Sequence, residues 1–273
     1  MILSLQEVTQ MPKPHLYAEK TFSKQINSSS FNLHSHENYE IYCFLKGNAK
    51  YLIEGNTYSL KPGDILIIRK GEAHRLILNK DNIPYERIII NFNTDAILGN
   101  TADKFLKFIE SKEIGKHNCY HSSDLNEGNI LYFLEKMCNS KDLNQKCLYL
   151  TVFLEEICEN PPQLNEHEAV EDNISLIIDY INHHLNDNIT LDDICARFYI
   201  SKAHLIRKFK AVTGVTVWNY IRTKRLNFAR ELLKSGGHPT DIFETCGFND
   251  YCSFFKAYKS YFGVSPKKDY KKQ

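Results

Sequence analysis

Four side chains in the first third of the chain have the types and spacing of metal ligands. His34 and His36 are one residue apart, so on a single strand both side chains would point to the same face. Glu40 follows four residues later, and His74 comes after two turn signals. Three imidazoles and one carboxylate form a ligand set that suits iron, manganese or zinc. The same groups could instead line a polar pocket or hydrogen bond at the rim of a barrel, so the pattern assigns no metal.

Two short stretches in the last third place cations beside apolar side chains on one helical face. If Leu205 and Phe209 face inward, the first stretch turns outward Lys202, Ala203, Ile206, Arg207 and Lys210. If Phe254 and Tyr258 face inward, the second turns outward Tyr251, Cys252, Phe255, Lys256 and Lys259. Arginine can pair bidentately with guanine, and alanine or isoleucine can contact a thymine methyl group. Contact with DNA therefore explains both faces better than a plain solvated surface does.

These stretches belong to a unit that occurs twice. The pattern from Ile194 to Thr216 recurs from Ile242 to Ser265, at an offset of 48 residues before the turn and 49 after it. Each copy reads as a short helix, a turn opened by a capping residue, and a second helix, which together form a helix-turn-helix. In the first copy the capping residue is Ser201, which is also expected at the DNA backbone. The doubling predicts a protein that binds two stretches of DNA groove at once.

A long amphipathic helix is predicted between the two copies, over Val217–Lys234. At about 1.5 Å per residue it holds the two reading helices a fixed distance apart. If that distance is near one DNA turn, both helices enter successive major grooves. The cations expected near phosphates on this helix are Arg222, Lys224 and Arg225.

The four candidate ligands need strands to position them. Residues 31–92 contain alternating and β-branched runs that are interrupted by glycine, proline and asparagine turns. The short spacing between these turns predicts an antiparallel barrel or a double sheet. Residues 1–30 read as an irregular arm with a polar end. Candidate helices follow over 101–110, 126–138 and 142–158. Their wide apolar faces either pack on the barrel or form a dimer interface.

Composition and charge divide the chain at about residue 170. Residues 1–170 hold 18 basic and 22 acidic residues, whereas residues 171–273 hold 16 and 11. A basic third joined to an acidic remainder is typical of a DNA-binding module with a different partner domain. The eight cysteines form no C-x-x-C pair, so neither a disulfide framework nor a structural zinc site follows. With no signal peptide and no apolar run long enough to span a bilayer, we expect a cytoplasmic protein without membrane contact.

The C-terminal residues resemble the AraC/XylS family of bacterial transcription regulators. The resemblance covers about residues 171–271 and rests on three stretches: S-x3-L-x-R-x-F-K over 201–210, R-L-x2-A-x2-L-L over 225–233, and G-F with the residues that follow over 247–266. It implies that bases are read by Ala203, Ile206 and Arg207 in the first unit and by Tyr251, Cys252 and Lys256 in the second. It also implies groove or backbone contacts from Ser201, Lys202, Lys210, Arg222, Arg225, Phe255 and Lys259.

Two residues depart from the pattern of this family. Phe243 stands where a small residue is usual in the first helix of the second unit, which could alter how that unit packs. The usual S-P-x-x-Y motif has one extra residue before Tyr270.

The N-terminal residues resemble the two motifs of the cupin superfamily. The matching stretches are H-S-H-x3-E over 34–40, P-G-D over 62–64 and G-x2-H over 71–74, with Arg69 at a position where proline is expected. The resemblance implies a barrel whose cavity is lined by the candidate effector-pocket residues His34, His36, Glu40 and His74. Regulators of this kind often keep cupin geometry while binding an organic effector, and no cofactor is assigned.

These features predict a two-domain α+β protein. A cupin-like β-barrel with dimerisation helices would occupy 1–158, a polar linker 159–170, and an all-α double helix-turn-helix domain 171–273. The expected function is that of a transcription regulator, in which a small molecule in the barrel biases how the C-terminal modules sit on DNA. The resemblance implies a sugar or related metabolite as effector, activation as the outcome, a homodimer, and RNA polymerase as a partner.

Three alternatives belong to other classes. A metal-dependent cupin enzyme fused to a DNA-binding domain requires metal in the cage of His34, His36, Glu40 and His74. A regulator that repairs alkylated DNA would need a zinc cluster of four cysteines, which this chain lacks. A constitutive DNA-binding protein would have an inert barrel and would respond to no small molecule.

Overall fold

A computed structural model of the chain describes residues 15–27, 31–125, 127–159 and 173–270. Contacts divide these residues into two compact units, one before position 171 and one after it. Apart from Glu159, which ends a helix, the predicted linker over 159–170 lies outside the described residues.

Two antiparallel sheets form the first unit. The strands are β1 (Leu16–Ser23), β2 (Tyr39–Lys46), β3 (Ala49–Ile53), β4 (Asn56–Ser59), β5 (Ile65–Ile68), β6 (His74–Leu78), β7 (Tyr85–Phe92) and β8 (Cys119–Tyr120). The larger sheet has the order β1-β7-β2-β5-β8, and the smaller has the order β4-β3-β6. This arrangement agrees with the double-sheet form of the predicted fold.

Strand β2 shows how the sequence separates two cores. Because alternate residues of a strand point to opposite faces, Ile41 and Cys43 join the core beneath the helices. Tyr42 and Phe44 join the other core, between the two sheets. We call the sheet face toward this second core the inner face. Glu40 is a buried acid on the inner face of a strand that is otherwise largely apolar.

The first thirty residues contain a strand, so the prediction of an irregular arm is wrong for residues 16–23. β1 pairs with β7 along its whole length, from Leu16 opposite Phe92 to Ser23 opposite Tyr85. Glu19 and Lys20 hide the alternation in the sequence, and the hydrogen bonds come from a partner strand about seventy residues away. Pairing at that range leaves no local signal in the sequence.

Three helices cover the outer face of the larger sheet: α1 (Thr101–Glu110), α2 (Glu127–Asn139) and α3 (Leu143–Glu159). Phe105, Leu134 and Phe153 are fully buried there with residues of the strands. The predicted ranges differ from these bounds by at most one residue. The helices therefore pack on the sheet, as one of the two interpretations required. Within the described ranges, no helix is long and apolar enough to cross a membrane.

The second unit is entirely helical in its described residues. Its helices are α4 (Asn173–His183), α5 (Leu191–Phe198), α6 (Lys202–Thr213), α7 (Val217–Lys234), α8 (Pro239–Thr245), α9 (Tyr251–Phe262) and α10 (Pro266–Tyr270). Thr190 begins α5 with a capping box, in which its side chain and that of Asp193 each accept the other's backbone N–H. The shared helix α7 has the predicted bounds.

The sequence repeat is also a repeat of backbone conformation. Tyr199 after α5 and Gly247 after α8, which are 48 positions apart, both have a left-handed backbone, with φ of 52° and 75°. The next amide in each copy makes the same bond, from Ile200 N to Cys195 O at 3.1 Å and from Phe248 N to Phe243 O at 3.0 Å. Corresponding hydrogen bonds at corresponding positions confirm that both copies are helix-turn-helix units.

Candidate functional site

Three of the four candidate ligands meet on the inner face of the sheets. His34 and His74 lie opposite each other and exchange backbone hydrogen bonds of 3.1 and 2.8 Å. The ring centroids lie 4.4 Å apart for His34 and His74, 5.0 Å for His36 and His74, and 6.1 Å for His34 and His36. One ring nitrogen from each histidine lies within 4.8 Å of the others. The sequence prediction that these side chains converge therefore agrees with the structure.

Backbone carbonyls orient all three imidazoles in the same way. The Nδ1 atom of His34 lies 2.9 Å from the carbonyl oxygen of Asn32, that of His36 lies 2.9 Å from Asn38, and that of His74 lies 2.8 Å from Glu72. A carbonyl only accepts, so each contact places a proton on Nδ1. In His34 and His74 the lone pair is then on Nε2, whereas Nε2 of His36 faces the Glu40 carboxylate. Carbonyl contacts of this kind orient metal-binding histidines.

Glu40 completes the cluster and is held by three donors. Its carboxylate lies 3.2 Å from His36 Nε2, 3.3 Å from the Tyr51 hydroxyl and 3.3 Å from Asn91 Nδ2. Burial raises the pKa of this carboxyl, but the hydrogen bond with His36 and the neighbouring imidazoles outweigh burial and hold the pKa below its usual range. The acid is therefore ionised inside the fold.

The cluster fits a divalent transition metal. Burial lowers the pKa of His34 and His74, so both rings are neutral near pH 7 and can act as ligands. Among the described residues, Nε2 of His74 is buried and has no hydrogen-bond partner. A metal ion would use that lone pair, and His34, His36 and Glu40 could supply the other ligands.

Several inner-face residues were not singled out from the sequence. Tyr42, Tyr51, Tyr85, Arg87 and Asn91 surround the cluster or continue the same face, and register puts Asn91 opposite Glu40 and Arg87 opposite Phe44. Counting in steps of two from Glu40 would have found Tyr42. The residues on β3 and β7 required the strand pairing.

Arg69, where the cupin pattern has proline, ties two segments together. Its guanidinium pairs with Glu72 at 2.5 Å and donates to the carbonyls of Lys112 and Glu113, each at 2.5 Å. These bonds join the turn before β6 to the segment after α1. The departure from the motif is therefore a structural contact within the unit.

A second group of possible ligands lies at the start of β5. One atom each from Asp64, Cys119 and His121 lies within 4.8 Å of the others. Both oxygens of Asp64 already accept backbone amides, from Lys61 at 2.7 Å and from Ser122 at 3.0 Å. This carboxylate primarily fixes a turn.

In the first reading helix, α6, the expected residues lie on the surface. Ser201 caps the helix by accepting the backbone N–H of His204. Ala203, Ile206 and Arg207 are exposed beyond it, as are Lys202 and Lys210, and the Ile206 side chain is 44% exposed. Lys202 donates to Asp192 at 3.0 Å, an exposed pair that contributes little and is easily exchanged for another anion.

In the second reading helix, α9, the expected face is only partly free. Cys252, Lys256 and Lys259 are exposed. Tyr251 and Phe255 are half-buried, and the Tyr251 ring packs 6.0 Å from Phe243. Phe243, at the position where a small residue is usual, thus packs against a candidate base-reading tyrosine.

Arg225, which is expected near a phosphate, also has partners inside the domain. Its side chain donates to three backbone carbonyls, those of Leu185 at 2.8 Å, Gly247 at 2.7 Å and Asp187 at 2.7 Å. Three of its five N–H donors are thus used inside the domain. Arg225 joins the segment before α5 to the turn before α9, whereas Arg222 on the same helix is exposed.

A buried polar face in one unit and a doubled helix-turn-helix in the other define the chain as a ligand-binding, DNA-binding regulator. A family model described as an AraC-like ligand binding domain matches residues 19–116, and one described as a helix-turn-helix domain matches residues 194–272. The chain belongs to the AraC family of DNA-binding transcriptional regulators.

Relatives along nearly the whole chain are also regulators. The HTH-type transcriptional regulator YbfI of Bacillus subtilis is 27% identical over 243 residues, which cover 87% of this chain and 86% of YbfI. The HTH-type transcriptional activator RhaS of Escherichia fergusonii is 25% identical over 258 residues, covering 89% and 88%. Fatty-acid-bound ToxT of Vibrio cholerae aligns with a TM-score of 0.37 at 15% identity, covering 95% and 97%. YbfI and RhaS are both transcriptional regulators, so the alternative of a fused cupin enzyme gains no support from them.

Proposed function

We propose that this regulator is an activator whose DNA binding is controlled by a small polar metabolite on the inner face of its N-terminal sheets. The observation that carries the proposal is the buried cluster of His34, His36, Glu40 and His74 inside a unit of the ligand-binding type. Polar groups are buried at a cost that only a structural or binding role offsets. Activation is supported by the similarity to RhaS, a transcriptional activator, and a sugar or related metabolite by the family resemblance.

The DNA interface that we propose follows the exposed faces of α6 and α9. Bases would be read by Ala203, Ile206 and Arg207 in the first unit and by Cys252 and Lys256 in the second, with Tyr251 contributing only its exposed edge. Groove and backbone contacts would come from Ser201, Lys202, Lys210, Arg222, Phe255 and Lys259. This division is supported by the exposure of these side chains.

The assembly that we propose is a cytoplasmic homodimer that contacts RNA polymerase at its promoters. The large apolar side chains left exposed on α2 and α3 are Leu131, Tyr132, Leu143 and Leu148. A second copy could cover them. The domain bounds that accompany this proposal are 1–158 and 171–273, joined by residues 159–170.

The test is a binding titration with DNA from upstream of the neighbouring genes, by fluorescence anisotropy, with and without a panel of metabolites. We expect binding in the nanomolar to micromolar range that one metabolite shifts at least several-fold, and a fragment from residue 165 onward that binds more weakly than the full chain. DNA binding that no metabolite alters would favour the constitutive alternative. Equal affinity of the fragment and the full chain would contradict dimerisation through α2 and α3.

A second candidate is that a metal ion takes part in the response. The unpartnered Nε2 of His74 and the matching orientation of the three imidazoles favour it. Metal analysis of the purified protein and of a His36→Ala variant tests this candidate. One equivalent of metal in the natural chain and none in the variant would support it, whereas metal-free protein that still responds to its effector would exclude it.

A further inference from the structure

The inner face is less covered at one end of the larger sheet. Alternation and register place Tyr17 and Thr21 of β1, with Arg87 and Ile89 of β7, on this face, and all four are half-buried. Farther along the same sheet, Tyr42 on β2 is completely buried. A molecule from solvent therefore reaches the inner face most easily along β1 and β7.

Arg87 is the cation at this accessible end. Its guanidinium carbon lies 5.6 Å from the centre of the Phe31 ring and 5.8 Å from that of Tyr85. Its Nε atom is buried and has no hydrogen-bond partner among the described residues. The side chain is thus held in place by rings while part of its donor capacity stays unused.

The acids nearby are committed to other groups. Glu40 accepts from His36, Tyr51 and Asn91, and Glu19 is hydrogen-bonded to the hydroxyl of Tyr17. In the parts of the chain that the structure describes, Arg87 makes no ion pair with a carboxylate within 4.0 Å. A guanidinium that is largely removed from water and lacks a carboxylate is costly, because neutral partners replace its hydration only in part.

We propose that the effector of this regulator carries an anionic group, a carboxylate or a phosphate, which Arg87 binds at the accessible end of the inner face. This inference rests on the proposed function. A planar guanidinium presents paired N–H donors that match the oxygens of such a group. The Tyr42 and Tyr85 phenols suit the same role, because burial raises the pKa of both and keeps them protonated, and the hydrogen bond between them uses only one of their two protons. The proposal narrows the expected metabolite to an acid or phosphate ester.

Thermal-shift titrations of the full chain with matched probes test the inference. The pairs are glucuronate against glucose, glucose 6-phosphate against glucose, and octanoate against octanol, each at millimolar concentration. We expect at least one anion to raise the melting temperature and its neutral counterpart to do so much less, with the effect declining as salt increases. Equal shifts from both members of the pairs, or no shift from any anion, would overturn the proposal.

Variants of Arg87 test whether the anion binds at this residue. Arg87→Met should weaken anion binding about 10- to 100-fold, the range of a charge-assisted hydrogen bond, and Arg87→Lys should weaken it less because the charge remains. Lys20→Met is the matched control, since Lys20 lies on the outer face of β1 and pairs with Glu135. Undiminished anion binding by Arg87→Met would contradict the assignment to Arg87. An effect of glucose equal to that of its acids would reject the anion while leaving an effector-controlled regulator intact, whereas loss of DNA binding or of every metabolite response would reject the proposed function itself.

Discussion

The two helix-turn-helix units share a backbone pattern but hold their reading helices differently. In the first unit, α6 is anchored by Leu205 and Phe209, and the whole predicted reading face is exposed. In the second, α9 sits among aromatic rings, with Phe248 5.3 Å from Phe254 and Phe262 4.6 Å from Tyr258. This packing also takes up part of the reading face. The first unit therefore offers more side chains for base contacts, and the second offers firmer packing.

A buried ion pair also closes the second unit. Nε of Arg230 on α7 lies 3.0 Å from Asp269 on α10, and both side chains are almost fully buried. The Tyr258 hydroxyl donates to the same carboxylate at 2.7 Å. Asp269, which precedes Tyr270 in the stretch where S-P-x-x-Y is usual, therefore has two partners inside the unit.

Removing the buried charge of Asp269 should produce the largest difference in stability between the two units. We expect Asp269→Asn to lower the free energy of unfolding by about 3–5 kcal/mol, the usual result of leaving one partner of a buried pair without its counter-charge. Chemical denaturation followed by tryptophan fluorescence and circular dichroism measures it. Asp192→Asn, which removes the exposed partner of Lys202 in the first unit, is the control and should change little. Comparable losses in both variants would show that the two units do not differ in this way.

A substitution at Gly247, the left-handed position of the second unit, should have the next largest effect on stability. A Cβ atom at Gly247 would lie 2.7 Å from the Arg225 guanidinium carbon and 2.8 Å from the carbonyl oxygen of Leu185, at a φ of +75°. We expect Gly247→Ala to destabilise the domain by about 2–3 kcal/mol, from backbone strain and overpacking together. Thermal unfolding measures the loss. An unchanged melting temperature would mean that the Arg225 contacts are dispensable.

Base reading should depend more on the first unit than on the second. We expect Arg207→Ala to weaken binding to the specific site by about 1–3 kcal/mol and to relax one base preference. Lys256→Ala should cost less, because a lysine makes a point contact and not a bidentate one. Anisotropy titrations with specific and random DNA separate the two. If Arg207→Ala weakens both DNAs equally, Arg207 touches only phosphate.

The smallest effect should come from the counterpart of Gly247 in the first unit. Tyr199 occupies the left-handed region with a side chain that is 97% exposed. Glycine tolerates that conformation without strain but loses more backbone entropy, so Tyr199→Gly should stabilise the domain by up to about 1 kcal/mol. Thermal unfolding of both variants should show a higher melting temperature for Tyr199→Gly and a lower one for Gly247→Ala, although the two positions are equivalent. A loss of stability on Tyr199→Gly would reveal a packing role for the tyrosine.

The sequence predicted those parts of the structure that depend on local signals. The capping residues Thr190 and Ser201, the repeat and the helix Val217–Lys234 all follow from short-range patterns, and all occur in the structure. The histidine cluster was predictable because its members sit at strand spacing. The neighbouring Arg87 was not, because its place beside the tyrosines follows from pairing between β2 and β7.

The partners of long side chains were also not predictable from the sequence. Arg225 carries a charge on a helix expected to face DNA. No local sequence pattern predicts that its guanidinium donates to the carbonyls of Leu185, Asp187 and Gly247. Phe243 is unusual in the sequence, but only the structure shows that Tyr251 is the residue whose ring it contacts.

The continuity of α7 sets a limit on the promoters that this protein can use. Its 18 residues run without interruption between the two units, so the reading helices cannot slide or rotate independently. One base pair added between the two half-patterns moves the second by about 3.4 Å and turns it by about a tenth of the DNA helix. Functional sites should therefore tolerate changes in base identity within the spacer much better than changes in its length.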